Sequence, residues 1–368
     1  MMKGLKHYIA VSAALVASAT GAAAADLWVE TESFADKGGW VVDQQFMDQM
    51  GSTYLMAHGM GKPVADAVTM VEIPETGVYT VYVRTYNWTS PWSKGDGPGK
   101  FKVRVGKKQL PVQLGATGSK WEWQKAGQIK LTAGSRELAL HDLTGFNGRC
   151  DAIYMTTEGD VSLPDGGDAL ETMRRKALGL DVKVPEVHNY DMVIVGGGIA
   201  GMCAAVAAAR NGMQVALVND RPVLGGNNSS EVRVHLGGYA EIGPNKGLGR
   251  MIREFGHSRK GNAKPAEYYE DEKKDAFIAS EPGVTLYPCS RAFAVQCDGK
   301  TIQSVTVRHT ENNTETVLKA PLFSDCTGDG TIGYLAGADF VMGRESRKEY
   351  NEALAPVEAD SLTMGVSI

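Results

Sequence analysis

Cysteine is scarce and unpatterned in this chain. Five residues, Cys150, Cys203, Cys289, Cys297 and Cys326, are spread through 368 positions without a CxxC pair. An odd number without that pairing fits neither a disulfide framework nor a zinc site, so no metal site is assigned and isolated buried thiols are expected. An excess of one charge is also missing. Lys and Arg number 38 against 43 Asp and Glu, a net charge of -5, which leaves no basic stripe for nucleic acid. The N-terminal apolar run Tyr8–Val16 is far shorter than the ~20 residues of a spanning helix, so no stable membrane anchor is expected. Tryptophan is absent from the last two-thirds, since all six lie between Trp28 and Trp123. That shift in composition marks a domain boundary.

What is present divides into four stretches. Residues 1–25 read as an export signal, with Lys3 and Lys6 before the apolar run and Ala23-Ala24-Ala25 as a cleavage pattern. The expected location is therefore a bacterial periplasm or the exterior. Residues 26–160 alternate apolar and polar side chains in short runs, such as Ala67–Ile73, Val78–Arg84, Phe101–Val105 and Glu137–Leu140, separated by glycine-rich turns. Many short strands at this spacing predict an all-β sandwich of jelly-roll type. Residues 161–188 hold a breaker cluster, a helix over 168–178 and a proline-containing linker. From 189 onward the pattern becomes strand, glycine turn, helix and strand, which predicts an α/β Rossmann-like domain.

The decisive segment is Asp191-Met-Val-Ile-Val195 followed at once by Gly196-Gly-Gly198-Ile-Ala-Gly201. A continuous apolar run suits a buried parallel strand, and an alanine-rich helix to Arg210 and a second strand over 214–218 complete the unit. Gly196 permits the tight turn, Gly198 lets the main chain approach a pyrophosphate, and Gly201 lets helix and strand pack closely. The first helical amides, at Ile199 and Ala200, then point at the phosphates with the helix dipole behind them. A ribose-binding acid belongs about 20 residues on. Asn219 stands there, with Asp220 beside it. Asn accepts a hydroxyl hydrogen bond but also donates, so its preference for ribose is weaker than an acid's.

Three stretches resemble the FAD-dependent oxidoreductases of the glutathione-reductase type, especially the fumarate-reductase branch. They are VIVGGGIAGMCAA at 193–205, RPVLGGNNSSEVRVH at 221–235 and DCTGDGTIGYLAGADF at 325–340. The resemblance implies FAD as cofactor. It places Gly225, Gly226 and Ser230 on a loop along the pyrophosphate, Thr327, Gly328 and Asp329 on a strand end returning to the cofactor, and Ala292 at an adenine contact. It also implies an antiparallel hairpin over 301–310 and 315–320. Polar groups facing the flavin would come from residues 227–235. Arg233 and His235, read as alternating on one strand face, are the catalytic candidates, one steadying negative charge and the other acting as acid or base. Flavoproteins of this type also carry a substrate-covering domain and a late return strand, which residues 189–368 do not reveal, so a C-terminally truncated fragment is expected.

The first half more loosely resembles galactose-binding-like sandwiches of carbohydrate-binding modules, through Val29-Glu-Thr-Glu-Ser-Phe34 and Gly148-Arg-Cys-Asp151-Ala-Ile. In such modules acids at those two ends can share a calcium. Glu30, Glu32 and Asp151 are the counterparts here, although ordinary surface carboxylates are the stronger expectation. Trp28, Trp40, Trp121 and Trp123 are expected in the core, and Trp88 and Trp92 on a loop where rings can stack on sugars. Together these features point to an exported FAD-dependent oxidoreductase with a small-molecule or glycan substrate. The alternatives are a non-catalytic carbohydrate-binding protein with an incomplete flavin domain and an NAD(P)-dependent enzyme. The sequence leaves the oligomeric state open.

Overall fold

The computed structural model describes residues 24–363 apart from 238–242, 245, 248 and 257–260. The expected export signal thus lies almost wholly outside the described residues. The chain divides into two compact units, one of residues 1–184 with 310–313, the other of 185–309 with 314–368.

The first unit runs β1 (Asp26–Glu30), β2 (Trp40–Asp43), α1 (Met47–Met50), β3 (Tyr54–His58), β4 (Ala67–Ile73), β5 (Gly77–Thr85), β6 (Phe101–Val105), β7 (Lys108–Gln109), β8 (Glu122–Leu131), β9 (Gly134–Asp142), β10 (Phe146–Thr156) and α2 (Gly167–Ala177). Its strands form two antiparallel sheets. One has the order β2-β3-β10-β5-β8 with β1 paired to β10, and the other β4-β9-β6-β7. A single apolar core draws Leu55, Val81, Val83 and Ile153 from the first sheet and Val71, Phe101, Val103 and Leu138 from the second. In β5, however, burial is nearly continuous from Tyr79 to Thr85. Alternation predicts one solvated face there. Instead α2 covers that face, with Leu170 and Met173 packed on Trp28, Tyr82, Trp123 and Tyr154. Burying a side chain such as Leu170 contributes about 1.5–3 kcal/mol. The helix expected as part of a linker is therefore a structural element of the first unit.

The second unit runs β11 (Glu186–Asn189), β12 (Met192–Val195), α3 (Ile199–Arg210), β13 (Val215–Val218), α4 (Arg250–Phe255), α5 (Asp271–Ala279), β14 (Val284–Tyr287), β15 (Ser290–Asp298), β16 (Thr301–His309), β17 (Glu315–Lys319), β18 (Leu322–Asp325), α6 (Thr331–Leu335) and α7 (Arg347–Tyr350). Four strands make a parallel sheet in the order β14-β13-β12-β18. The apolar runs MVIV and VALV supply its two central strands, buried because both faces are covered. On one face Met202, Ala205 and Val206 of α3, with Phe255 and Phe277, pack against Ile194 and Leu217. On the other, Val193 and Val218 meet Ala292, Val305 and Leu318 of a second sheet ordered β11-β17-β16-β15. The expected hairpin is present as β16 and β17, paired antiparallel from Ser304 with Lys319 to Arg308 with Glu315.

Candidate cofactor site

The C-terminal ends of the parallel strands gather the glycine corner, which is where ligands bind in open α/β sheets. The amide of Gly196 donates to the Val218 carbonyl at 2.8 Å, that of Cys326 to Val195 at 2.7 Å and that of Asn219 to Tyr287 at 2.9 Å. Four strand ends, of β14, β13, β12 and β18, are thus locked in register beneath the corner.

The three motif glycines have separable reasons. Gly196 has φ +112°, which L side chains rarely adopt, and a Cβ there would lie 2.3 Å from the Cys326 carbonyl oxygen. A Cβ on Gly201 would lie 1.8 Å from the Gly196 oxygen, so close helix–strand packing requires its absence. Gly198 is different. It is the N-cap of α3 with φ -69° and ψ 178°, a conformation any residue adopts, and a Cβ there would meet no atom within 4 Å. Nothing in the packing of the described residues requires glycine at 198. The open space lies at the first turn of a twelve-residue helix, whose initial N–H groups have no intrahelical acceptor. Such an opening suits an anion brought against bare main chain.

Gly225 and Gly226 form the facing wall. Both have left-handed backbone, φ +108° and +58°. The Gly225 amide donates to the Gly197 carbonyl at 2.9 Å, Gly225 bridges Gly198, and a Cβ on Gly226 would sit 3.2 Å from the Gly198 Cα. The doublet lets two main chains run side by side.

Asn219 is buried and uses both amide hydrogens internally, on the carbonyls of Arg221 at 2.8 Å and Val223 at 2.9 Å. Its oxygen stays beside Gly197, where a Cβ would come within 2.5 Å of it. Asn219 therefore shapes the loop leading to the glycine doublet while presenting an acceptor at the corner. Asp220 is half-buried next to it.

The third stretch follows β18. Thr327 donates through both its amide and its hydroxyl to Asp325 Oδ1, at 3.0 and 2.6 Å, and the amides of Ile332 and Gly333 donate to Asp325 Oδ2 at 2.9 and 3.1 Å. Gly328 and Asp329 are exposed on the turn so formed, and a Cβ on Gly328 would meet open space. Asp325 was not among the expected site residues. Its signal was present in the sequence, as a carboxylate two residues before Thr327 that can cap its own turn. Ala292 lies in the core between the two sheets, 2% exposed and paired with Val307. Its side chain belongs to that packing.

The catalytic candidates are placed differently from expectation. Residues 229–237 form turns and irregular chain, not a strand, so alternation on one face does not apply. Arg233 has φ +62°. Its Nε donates to the Ser230 carbonyl at 2.8 Å and its own carbonyl accepts the Tyr269 hydroxyl. His235 Nδ1 lies 2.6 Å from Asn262 Oδ1. Both side chains hold the loop together. Ser230 contributes its amide to Asp271, at 3.2 Å to each carboxylate oxygen.

Residues 191–366 match the model of the FAD dependent oxidoreductases. That segment is similar to FAD-dependent oxidoreductase domains, and the match supports an enzyme with FAD as its cofactor. The chain is also similar to soluble pyridine nucleotide transhydrogenases. With that of Stutzerimonas stutzeri (strain A1501) it shares 29% identity over 168 residues, 44% of this chain and 32% of the relative. With that of Ectopseudomonas mendocina (strain ymp) it shares 43% over 69 residues, 19% of this chain and 13% of the relative. The chain thus spans between 13% and 32% of the length of these two curated relatives. Among solved structures, the THI4 protein of Thermovibrio ammonificans aligns at TM-score 0.32 and 19% identity, covering 52% of this chain and 81% of that one. The C-terminal CBM6 of LamC, a laminarinase of Zobellia galactanivorans, aligns at TM-score 0.28 and 16% identity, covering 36% and 98%. Likenesses of shape at such scores carry no conclusion.

The residues present fit the diphosphate of FAD. The opening at Gly198, the free first-turn amides of Ile199 and Ala200, and the glycine wall at 225–226 make a cradle that a side chain would fill.

The acids of the first unit are not surface carboxylates. Glu30, Glu32 and Asp151 are 3%, 0% and 0% exposed. Asp151 Oδ2 accepts from Arg84 and Arg174, each at 2.8 Å, and its Oδ1 from Ser52 at 2.9 Å. Glu30 accepts from Trp28 at 2.8 Å and Arg174 at 2.6 Å. Burial, with the Glu30 and Asp151 charges close by, pushes the Glu32 carboxyl well above the usual range, although Asn313 donates to it at 2.9 Å. Burial opposes the charge on Arg174, but the Asp151 and Glu30 carboxylates hold it more firmly protonated than a free arginine. Guanidinium groups neutralise Glu30 and Asp151, Glu30 Oε2 and Glu32 Oε2 stay without a hydrogen-bond partner, and among the described residues no group of acids, histidines or cysteines is arranged to hold a metal ion.

The tryptophans divide as expected. Trp28, Trp40 and Trp121 are buried and Trp123 is partly so, while Trp92 is 71% exposed and stands edge-on to Trp88 at 5.8 Å. The cysteines depart from expectation. All five are free, but only Cys150 is buried and Cys297 is exposed.

Proposed function

We propose that the protein is an exported FAD-dependent oxidoreductase that passes hydride between flavin and a sugar or polysaccharide-derived alcohol. The observation carrying the cofactor half of this reading is Gly198, a glycine without an internal reason beside Gly196, Gly197, Gly201, Gly225 and Gly226, which each have one. Bound flavin supplies the hydride chemistry itself, while the protein supplies binding and orientation. Here the amides of Ile199 and Ala200 hold the diphosphate, the Gly225–Gly226 wall keeps water from one side of it, and the Asn219 oxygen accepts a ribose hydroxyl. Arg233 and His235 stand on the loop that continues from this wall and hold it in shape through Ser230 and Asn262.

Export rests on the charged and apolar pattern of residues 1–25. The sugar reading draws on the first unit. A cleft of about 440 Å³ there is lined by Phe46, Tyr86 and Trp121, with Gln49, Ser119 and Lys120 at hand. Aromatic faces beside hydroxyl-binding groups suit a pyranose ring.

Purification of the full-length protein followed by extraction and identification of the bound cofactor tests the reading. A yellow protein releasing FAD is the expected result. A colourless protein that takes up no added FAD yet retains glycans would overturn it in favour of a carbohydrate-binding role. Saturable binding of NADH, with none of FAD, would point to a nicotinamide enzyme.

A further inference from the structure

Lys274 is a lysine with almost no access to solvent. It stands on α5 at 1% exposure, a rare state for an ammonium unless it is paired. Its Nζ donates to the Tyr269 carbonyl at 2.6 Å and meets Asp271 Oδ1 at 3.2 Å. Its methylenes lie directly under the glycine wall, where a Cβ on Gly225 would fall 2.8 Å from Lys274 Cδ and Cε. Asp271 in turn accepts the Ser230 amide, and the Tyr269 hydroxyl donates to the Arg233 carbonyl. Asn228, 4% exposed, closes the same loop on itself by donating to the Val234 carbonyl at 3.0 Å.

We propose that the buried Lys274–Asp271 pair, together with Tyr269, is a positioning device that fixes residues 225–233 against Gly198 and so preforms the wall of the FAD diphosphate site. The inference rests on the FAD assignment of the glycine corner. A wall made of two left-handed glycines has no side chains of its own to hold it, and glycine loses more freedom on ordering than any other residue. Without an external tie, ordering that loop would be charged against cofactor affinity. The start of α5 and the turn before it supply the tie from below, through the Lys274 ammonium, the Asp271 carboxylate and the Tyr269 phenol, none of which needs to touch the ligand.

FAD titration of cofactor-free full-length protein, followed by flavin fluorescence, tests this beside hydrogen-exchange rates over residues 225–235. Lys274→Met keeps the stem under Gly225 and removes the ammonium. It is expected to raise the Kd for FAD at least about tenfold and to speed exchange in the loop, with the melting temperature of the cofactor-free protein changing far less. Asp271→Asn is expected to act in the same direction, and the double variant to be no worse than Lys274→Met, because both cut one tie. A role confined to fold stability would lower the melting temperature and leave the Kd of the folded protein unchanged, which overturns the proposal. Additive effects in the double variant overturn it too. If Lys274→Met fails to fold, Asp271→Asn decides alone, and unchanged exchange and Kd in that variant sink the idea. Wild-type protein that takes up no FAD would sink the cofactor assignment and the proposal together. Uptake by wild type with equal uptake by Lys274→Met would sink the proposal alone.

Discussion

Two polar regions of this molecule are built on opposite plans. In the first unit, Glu30, Asp151, Arg84 and Arg174 are buried and answer one another. In the second, the glycine corner holds main-chain donors with nothing of the described residues opposite them. Both regions looked like candidate ligand sites in the sequence, one for calcium and one for a dinucleotide. What separates them is charge compensation, since Glu30 Oε2, Glu32 Oε2 and Arg84 Nε of the first region still lack a hydrogen-bond partner. Buried carboxylates already neutralised by guanidinium groups attract a cation weakly, whereas a helix start facing open space keeps its donors for an anion. The lesson is to ask which polar groups a fold leaves unanswered, rather than where polar residues cluster.

The sharpest way to break this comparison is to remove a charge from the closed cluster. Arg174→Met leaves Glu30 and shares of Asp151 uncompensated in a buried setting, and loss of one partner from such a pair costs about 3–5 kcal/mol. Denaturant unfolding of the first unit should show a loss of that size. A loss below about 1 kcal/mol would mean that the cluster is not a closed network.

Within the open region, glycines one turn apart should behave differently. Gly198→Val should cut FAD affinity by at least about a hundredfold, equivalent to ~2.7 kcal/mol, while the melting temperature of the cofactor-free protein stays close to wild type. Gly201→Val should instead prevent the second unit from folding, because its Cβ would collide with the Gly196 carbonyl. Equal effects of the two on melting temperature would refute the assignment of separate roles.

A smaller effect comes from pH. Burial raises the Glu32 carboxyl in the folded state. The stability it contributes is therefore fully present below its ordinary pKa and is lost as pH rises through the raised folded value. Glu32→Gln mimics the protonated side chain, so the variant should lose less stability than wild type as pH is raised from acid to neutral. Melting curves across that range check this, and parallel curves for the two proteins would contradict it.

Much of the second unit was legible from residue order. The run MVIV, the spacing of Gly196, Gly198 and Gly201 and the alanine helix are local signals, and each element formed where its pattern lay. Arg233 and His235 alternate in the sequence as on a strand face, but within the loop at 227–235 they lie on irregular chain. Its conformation is decided by partners distant in sequence, Asn262 and Tyr269, which no local pattern records. The acids of the first unit were misread as surface groups for a similar reason. Arg174 stands 144 residues from the Glu30 it neutralises.

The sequence by itself determined where the glycine corner lies, since a strand, a bare turn and a helix start are properties of adjacent residues and of backbone freedom. Tertiary structure alone decided which polar groups are satisfied. Pairing of Glu30 with Arg174, seating of Lys274 beneath Gly225 and exclusion of water from both depend on distances between segments far apart in the chain, and the free energy of a buried charge is set by those distances.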